Sequence, residues 1–205
     1  MYVTKSTLLN QFFLFILIFS VAQSVKATEI IKLKCEHLIN PIGIDNPNPR
    51  LSWIMDDDRK GALQKSYRIT VGTDSLQLKG KTNIQWDTDQ VNSGNNLVNY
   101  KGRPLMPFTK YFWKVDVLDQ NDKLISSKIS SFETGMMGAE NWKGTWISDG
   151  NDINTRPAPY FRNVFKSAKQ IKSARAYIVA AGLYELYLNG KKSWQSPLRP
   201  HVHTF

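Results

Sequence analysis

The segment Leu105-Met106-Pro107-Phe108-Thr109-Lys110-Tyr111 runs directly into Phe112-Trp113-Lys114-Val115-Asp116-Val117. This constrains the chain more than any other part of it. Tyr111, Trp113, Val115 and Val117 alternate with Phe112, Lys114 and Asp116, the period-two pattern of a strand with one face in a core. A Leu and a Pro ahead of a Tyr that opens such a strand is the layout of a tyrosine corner, in which the phenol hydroxyl returns to backbone a few residues upstream. That corner belongs to sandwiches of two antiparallel sheets, so the rest of the chain should supply short strands and turns.

It does so from about residue 30 onward, and no window carries a capped 3.6-residue periodicity. Ile31, Leu33 and Cys35 alternate with Lys32, Lys34 and Glu36, which makes Cys35 a small buried residue on a first strand. The Pro/Asn/Gly-rich stretch from Asn40 to Pro49 delivers the chain into Arg50-Leu51-Ser52-Trp53-Ile54, whose Trp is suited to plug a sandwich. Tyr67, Ile69 and Val71 alternate with Arg68 and Thr70, and Ser126 to Thr134 reads as a closing strand. Roughly seven strands between residues 29 and 135 fit a fibronectin-type-III or immunoglobulin-like β-sandwich. After a joint at Gly135 to Asn141, strands are predicted at Trp142 to Ser148, Tyr160 to Phe165, Ala174 to Ala180 and Tyr184 to Leu188. Asn189-Gly190 should turn a hairpin, because both residues tolerate positive φ. Some seventy residues fall short of the ~100 a sandwich usually takes. The expectation is therefore an all-β chain whose second β-sandwich is incomplete, with a sheet edge unpaired.

The first residues have another use. Lys5, the apolar run from Phe12 to Ala22 and the small-residue exit Val25-Lys26-Ala27 form a secretory signal with cleavage expected after Ala27. The run is shorter than the ~20 residues of a membrane span, so no stable membrane span is expected after cleavage, and the chain should be periplasmic or extracellular. Loss of Lys5 and Lys26 takes the net charge from +10 to +8. The lysines are scattered over polar strand faces, and no nucleic-acid motif accompanies them, so no nucleic-acid partner is expected. A single cysteine allows no internal disulfide.

Candidate chemistry is sparse. Asp56-Asp57-Asp58 is the densest acidic cluster, and adjacent acids on a turn are expected to be solvated. Glu133 and Glu185 each lie on the polar phase of a strand and are placed at the surface. His201 and His203 make a His-x-His pair without a third ligand, and His37 stands alone, so no metal or other cofactor is expected. Phosphate-loop, nucleophile-elbow and Cys-x-x-Cys patterns do not occur, and no catalytic residue is assigned. Among six Trp and eight Tyr, Tyr187 sits on a polar phase beside Glu185 and Asn189, and it is the candidate to face a sugar.

The ordered series Asn40-Pro41-x-Gly43-Ile44-Asp45-x-Pro47-x-Pro49-Arg50-Leu51-Ser52-Trp53, Gln64-x-x-Tyr67-Arg68-Ile69-x-Val71, Trp86-Asp87, Tyr100-x-Gly102-x-x-Leu105, Tyr111-x-Trp113-Lys114-Val115 and Phe132-Glu133-Thr134-Gly135 resembles the N-terminal region of bacterial α-L-rhamnosidases of the inverting type. Trp142-x-x-x-Trp146-Ile147, Pro159-Tyr160-Phe161-Arg162-x-x-Phe165, Ala174-Arg175-x-Tyr177 and Gly182-x-Tyr184-Glu185-x-Tyr187-x-Leu188-Asn189-Gly190 are similar to the start of that family's jelly-roll-like second domain. The sequence departs from the pattern at Lys191 to Ser196. With the signal peptide over 1–27 set aside, the resemblance implies a sandwich over 28–137 and a truncated jelly-roll-like β-sandwich over 138–205. It also implies that the acid and base lie in a downstream helical barrel. On that basis the chain is a non-catalytic accessory region, inactive alone, whose partners are a rhamnose-containing glycan or the missing catalytic domain. A free-standing carbohydrate-binding or structural β-sandwich module is the alternative.

Overall fold

A computed structural model describes residues 27–80, 84–152, 154, 158–168, 170–171, 174–192 and 202–204. The signal segment therefore lies outside the described residues, apart from Ala27, and so do the side chains of His201, His203 and Trp194. Two sheets make the first unit. One holds β1 (Glu29–Cys35), β3 (Arg50–Asp56) and β6 (Leu97–Asn99) in the order β1-β3-β6. The other holds β2 (Ile42–Ile44), β4 (Gln64–Gly72), β5 (Ile84–Asp87), β7 (Lys110–Asp119) and β9 (Ser130–Thr134) in the order β2-β9-β7-β4-β5, with β8 (Leu124–Ser126) paired to β7 beyond β9. β2 runs parallel to β9, and the remaining pairs are antiparallel. This is the expected immunoglobulin-like β-sandwich.

The strand that opens at the corner is its axis. β7 pairs along one side with β4, from Gln64↔Asp119 to Gly72↔Phe112, and along the other with β9 and then β8. Its alternation is realised side chain by side chain, since Tyr111, Trp113, Val115 and Val117 are all fully buried. The Met106 backbone N–H donates to the Tyr111 hydroxyl at 2.8 Å, which closes the tyrosine corner. Tyr111 also stacks on Phe132 of β9, with ring centroids 5.3 Å apart.

The two sheets are joined through Trp53. Its ring meets Tyr67 edge-on at 5.3 Å, and its indole N–H donates to Gln64 Oε1 at 2.9 Å. The same Gln64 amide donates to the carbonyls of Ser93 and Asn95. A buried Trp needs a partner for its N–H, and Gln64 provides it while pinning the loop that leads into β6.

Four expectations need correction. β1 does not keep one phase: Ile31 pairs with Ile54 but Lys34 pairs with Ser52, so three steps on β1 oppose two on β3. The extra residue is a β-bulge at Lys32, whose φ is +51°, and it puts Ile30 rather than Ile31 in the core with Leu33 and Cys35. The closing strand is two strands, broken at Ser127, whose N–H and Oγ both bond to the Val115 backbone. A six-residue helix α1 (Ser75–Gly80), too short to show a periodicity, covers the end of β4. Its Leu78 is buried beside Gly72, where a Cβ would come within 3.2 Å of the leucine Cδ2. Beyond the joint the predicted strands shrink to β10 (Arg175–Tyr177), β11 (Tyr187–Leu188), β12 (Lys191–Lys192) and β13 (Val202–Thr204). The stretches around Trp146 and Tyr160–Phe165 carry no strand, and none of the described residues pairs with them.

The hairpin is as predicted, with Asn189 at φ +49° and Gly190 at +77° joining β11 to β12. No described residue after Gly135 is buried.

Tyr111→Phe should lower unfolding stability by about 1–3 kcal/mol, since it leaves the Met106 N–H without its acceptor; urea denaturation of the two proteins measures it. Gly102→Ala should also destabilise, because a Cβ there would lie 2.5 Å from both Trp86 Cβ and the Tyr100 hydroxyl.

Candidate functional site

Beyond its core, the chain gathers chemistry at the end of the sandwich where β9 leaves for the second unit. Phe132-Glu133-Thr134-Gly135 shares out four tasks there. Phe132 stacks under Tyr111. Thr134 Oγ1 accepts from the Thr109 N–H at 2.8 Å and donates to the Met106 carbonyl at 2.6 Å, so it fastens the corner loop. Gly135 donates to the Ile44 carbonyl and accepts from the Phe108 N–H. A Cβ on it would come 2.6 Å from Asp45 Oδ1, the oxygen that accepts the Met137 N–H. Glu133 reaches out of the sandwich altogether.

The sequence reading placed Glu133 at the surface, and that is corrected: its carboxylate is 9% exposed and bidentate to Arg175 of β10, at 2.7 and 2.8 Å. The partner lies 42 residues away, so nothing in the local pattern of β9 announces it. Two residues past Arg175 on the same strand, Tyr177 meets Phe108 edge-on with centroids 4.6 Å apart. Burial, and next the charge of Glu133, hold the Tyr177 hydroxyl above its ordinary pKa. A 3-10 turn at Ala139–Asn141 brings the chain back past this contact. Together Phe108, Asn141, Trp142, Lys143, Gly144 and Tyr177 line a hollow of about 300 Å³. Sequence reasoning named Phe108, Trp142 and Tyr177 in separate motifs but did not group them, because they come from three elements distant in the chain.

The acidic cluster needs a second correction. Asp57 is not solvated: its side chain is 2% exposed and accepts from Arg59 and from the Thr28 hydroxyl. Arg59 also holds Asp119, which is fully buried at the far end of β7. Hydrogen bonds from Arg59 come first among the causes that hold both carboxyls below the usual carboxylate range. These acids tie the start of β1 to the end of β7 and stay charged.

Tyr187 and Glu185 are exposed, as expected. The Tyr187 hydroxyl donates to Glu185 Oε2 at 2.8 Å, and Lys192 of the return strand pairs with Glu185 Oε1. That second bond, followed by the Tyr187 one, lowers the Glu185 pKa. Cys35 is buried, and burial foremost pushes its thiol up to about 12. Among the described residues no three His, Cys, Asp or Glu side chains are grouped to hold a metal ion. No helix among them is long and apolar enough to cross a membrane.

Residues 30–138 match the family described as Rha78A-like, N-terminal immunoglobulin domain. The chain belongs to that family. Its curated relatives include an α-L-rhamnosidase of Formosa agariphila, 31% identical over 186 residues, an alignment covering 78% of this chain and 19% of the relative. An α-L-rhamnosidase of Streptomyces avermitilis is 29% identical over 88% of this chain and 21% of its own length. Among solved structures, the α-L-rhamnosidase of Dictyoglumus thermophilum superimposes with a TM-score of 0.75 at 30% identity, over 89% of this chain and 24% of that one. The Streptomyces avermitilis enzyme complexed with L-rhamnose superimposes with a TM-score of 0.56 at 36% identity, over 60% of this chain and 12% of that one. The Rha78A-like chain thus spans about a fifth of the length of the curated relatives it matches.

Two outcomes follow from the buried groups. The folded pKa values of Asp57 and Asp119 lie below the unfolded value of about 3.9, so their contribution is present above that pH and lost as pH falls through the folded values. Arg59→Met should lower the melting temperature at pH 7, and its deficit against the parent should narrow as both are taken to pH 3. The Cys35 thiol should stay silent to Ellman's reagent at pH 8 in the native protein and react fully in denaturant.

Proposed function

We infer that this chain is the N-terminal, non-catalytic part of an exported α-L-rhamnosidase acting on rhamnose-containing plant glycosides or polysaccharides. Residues 28–137 serve as its sandwich domain, and residues from 138 onward begin a second, jelly-roll-like one. The observation that carries this reading is the match of residues 30–138 to a rhamnosidase N-terminal domain, in a chain that spans about a fifth of α-L-rhamnosidase relatives.

The charge chemistry agrees. Glycosidic cleavage commonly uses two carboxyl groups flanking the bond, one of them protonated at working pH. Here the most buried carboxylates, Asp57, Asp119 and Glu133, are each held by a guanidinium, an arrangement that keeps a carboxylate charged and engaged. Their role is to brace the sandwich and its joint. In the longer enzyme, the sandwich would act as a rigid foot from which the following domains are built, and hydrolysis would be supplied by those domains. Export rests on the signal-like pattern of residues 1–27, and cleavage after Ala27 leaves Thr28, whose hydroxyl bonds to Asp57.

A second reading, a carbohydrate-binding module, draws on Tyr187, a half-exposed ring on the hairpin. In that reading its face packs on a sugar while Glu185 fixes the hydroxyl.

Purified protein should give no turnover of an aryl α-L-rhamnoside above a mock preparation, and N-terminal sequencing of secreted protein should begin at Thr28. Turnover would move the chemistry into this chain and overturn the assignment.

A further inference from the structure

The geometry points to the α-amino group of Thr28, freed by cleavage after Ala27, as the missing cation of the buried Asp57–Arg59–Asp119 cluster. Removal of the leader thereby completes the charge balance of the sandwich. The cleavage point rests on the functional reading above, while the anchor rests on its own geometry.

The cluster is out of balance. Its two carboxylates are the buried members, with side chains 2% and 0% exposed, and the guanidinium that serves both is 32% exposed. Arg59 reaches Asp57 Oδ2 at 2.6 Å and Asp119 Oδ2 at 2.7 Å through the same Nη2. Backbone N–H groups of Arg59, Asn121 and Lys123 donate to the Oδ1 atoms, but they bring no net charge. Two ionised acids against one cation leave a negative charge in the interior, and a charge taken out of water is costly unless it is paired. No lysine among the described residues pairs with Asp57 or Asp119, and Lys65, Lys114 and Lys192 are engaged with Asp122, Asp116 and Glu185. The other charges at this end of the sandwich are Glu29 and Asp56 on the paired ends of β1 and β3, Asp58 and Lys60 in the turn that follows, and Lys123 after β7. Three acids and two bases do not restore the balance.

Thr28 stands where a further cation would serve. It is 9% exposed, and its hydroxyl donates to Asp57 Oδ2 at 2.6 Å and accepts from Arg59 Nη2 at 3.3 Å. Three covalent bonds separate Thr28 N from its Oγ1, so the two atoms lie no more than about 4 Å apart. A charge on that nitrogen is held beside Asp57 by a side chain already bound to the carboxylate. In the uncleaved chain the nitrogen is an uncharged amide, and among the described residues its N–H has no hydrogen-bond partner. Hydrolysis of the Ala27–Thr28 peptide bond adds one water, leaving a carboxylate on the leader and an ammonium on Thr28. That ammonium neutralises the cluster and supplies three donors to it. Its contribution is fully present below the ordinary α-amino pKa of about 7.7–8.0 and is lost as pH rises through the higher folded value. At acid pH it fades as the two carboxyls take up protons.

The mature chain beginning at Thr28 is compared with the same chain acetylated at its α-amine. The free-amine form should melt a few degrees higher at pH 7, and the gap should close both at pH 10 and at pH 3. In Asp57→Asn the free and acetylated forms should melt together. A second measurement needs no variant: the α-amine is ¹³C-methylated, which keeps its charge, and its titration is followed by NMR. Its midpoint should lie about one pH unit higher in the native protein than in denaturant, as expected for a cation beside a carboxylate. Equal melting of the free and acetylated chains at pH 7, a gap that persists in Asp57→Asn, or a native midpoint no higher than the denatured one would each overturn the inference. N-terminal sequencing of the secreted protein is read separately. A start other than Thr28 overturns the cleavage point and with it the maturation step, whereas a missing gap in the Thr28 chain overturns the anchor itself, so the two failures are distinguishable.

Discussion

The sandwich depends on the hydrogen bond between the Met106 N–H and the Tyr111 hydroxyl. Phe132 and the Thr134 hydroxyl close around the same loop. Tyr111 is both the first inward residue of β7 and the acceptor that fixes where the strand begins. Because side chains alternate with period two, that starting point decides which residues of β7 face inward, and through its ladders with β4, β8 and β9 it sets the register of most of the larger sheet. Trp53 then needs only one polar partner, Gln64, to lock the smaller sheet across the core.

The corner has a second consequence. The loop that carries Pro107 and Thr109 must turn sharply to bring the Met106 N–H over the phenol, and Phe108 absorbs that turn at positive φ. Its ring is thereby thrown outward, away from Tyr111 and toward Tyr177. The device that fixes the inner register therefore also builds one wall of the outer hollow. Glu133 shows the same economy: its neighbours Phe132 and Thr134 serve the sandwich, while its carboxylate serves β10.

What could be read from the sequence follows from which forces are local. Alternation at Tyr67–Val71 and Tyr111–Val117, the corner and the Asn189-Gly190 turn are local properties of the chain, and each appears as expected. The bulge at Lys32 does not show in an alternation that looks unbroken, because one positive φ shifts the phase without changing residue type. Asp57 looks like a turn acid until Asp119, 62 positions on, joins it at the same guanidinium. Glu133 looks solvated until Arg175 arrives. Paired charges far apart in sequence are invisible to patterns that count only neighbours, and one such pair, Glu133–Arg175, holds the chain beyond the joint to the sandwich.

The second unit turns this rule around. Its sequence is rich in aromatic and β-branched residues at Tyr160–Phe165, yet that segment is exposed and, among the described residues, unpaired, with Tyr160 98% and Phe165 73% accessible. A strand is a cooperative object: its backbone groups need a neighbour's ladder and its apolar face needs an opposing layer. Arg175–Tyr177 gains both, in part, from β13 and from the sandwich through Glu133 and Phe108, and it is ordered as a strand. Tyr160–Phe165 gains neither and is not. The difference between the two segments lies in what meets them, not in their propensity. The end of the sandwich marked by Phe108 and Glu133 is therefore what holds Arg175–Tyr177 in place.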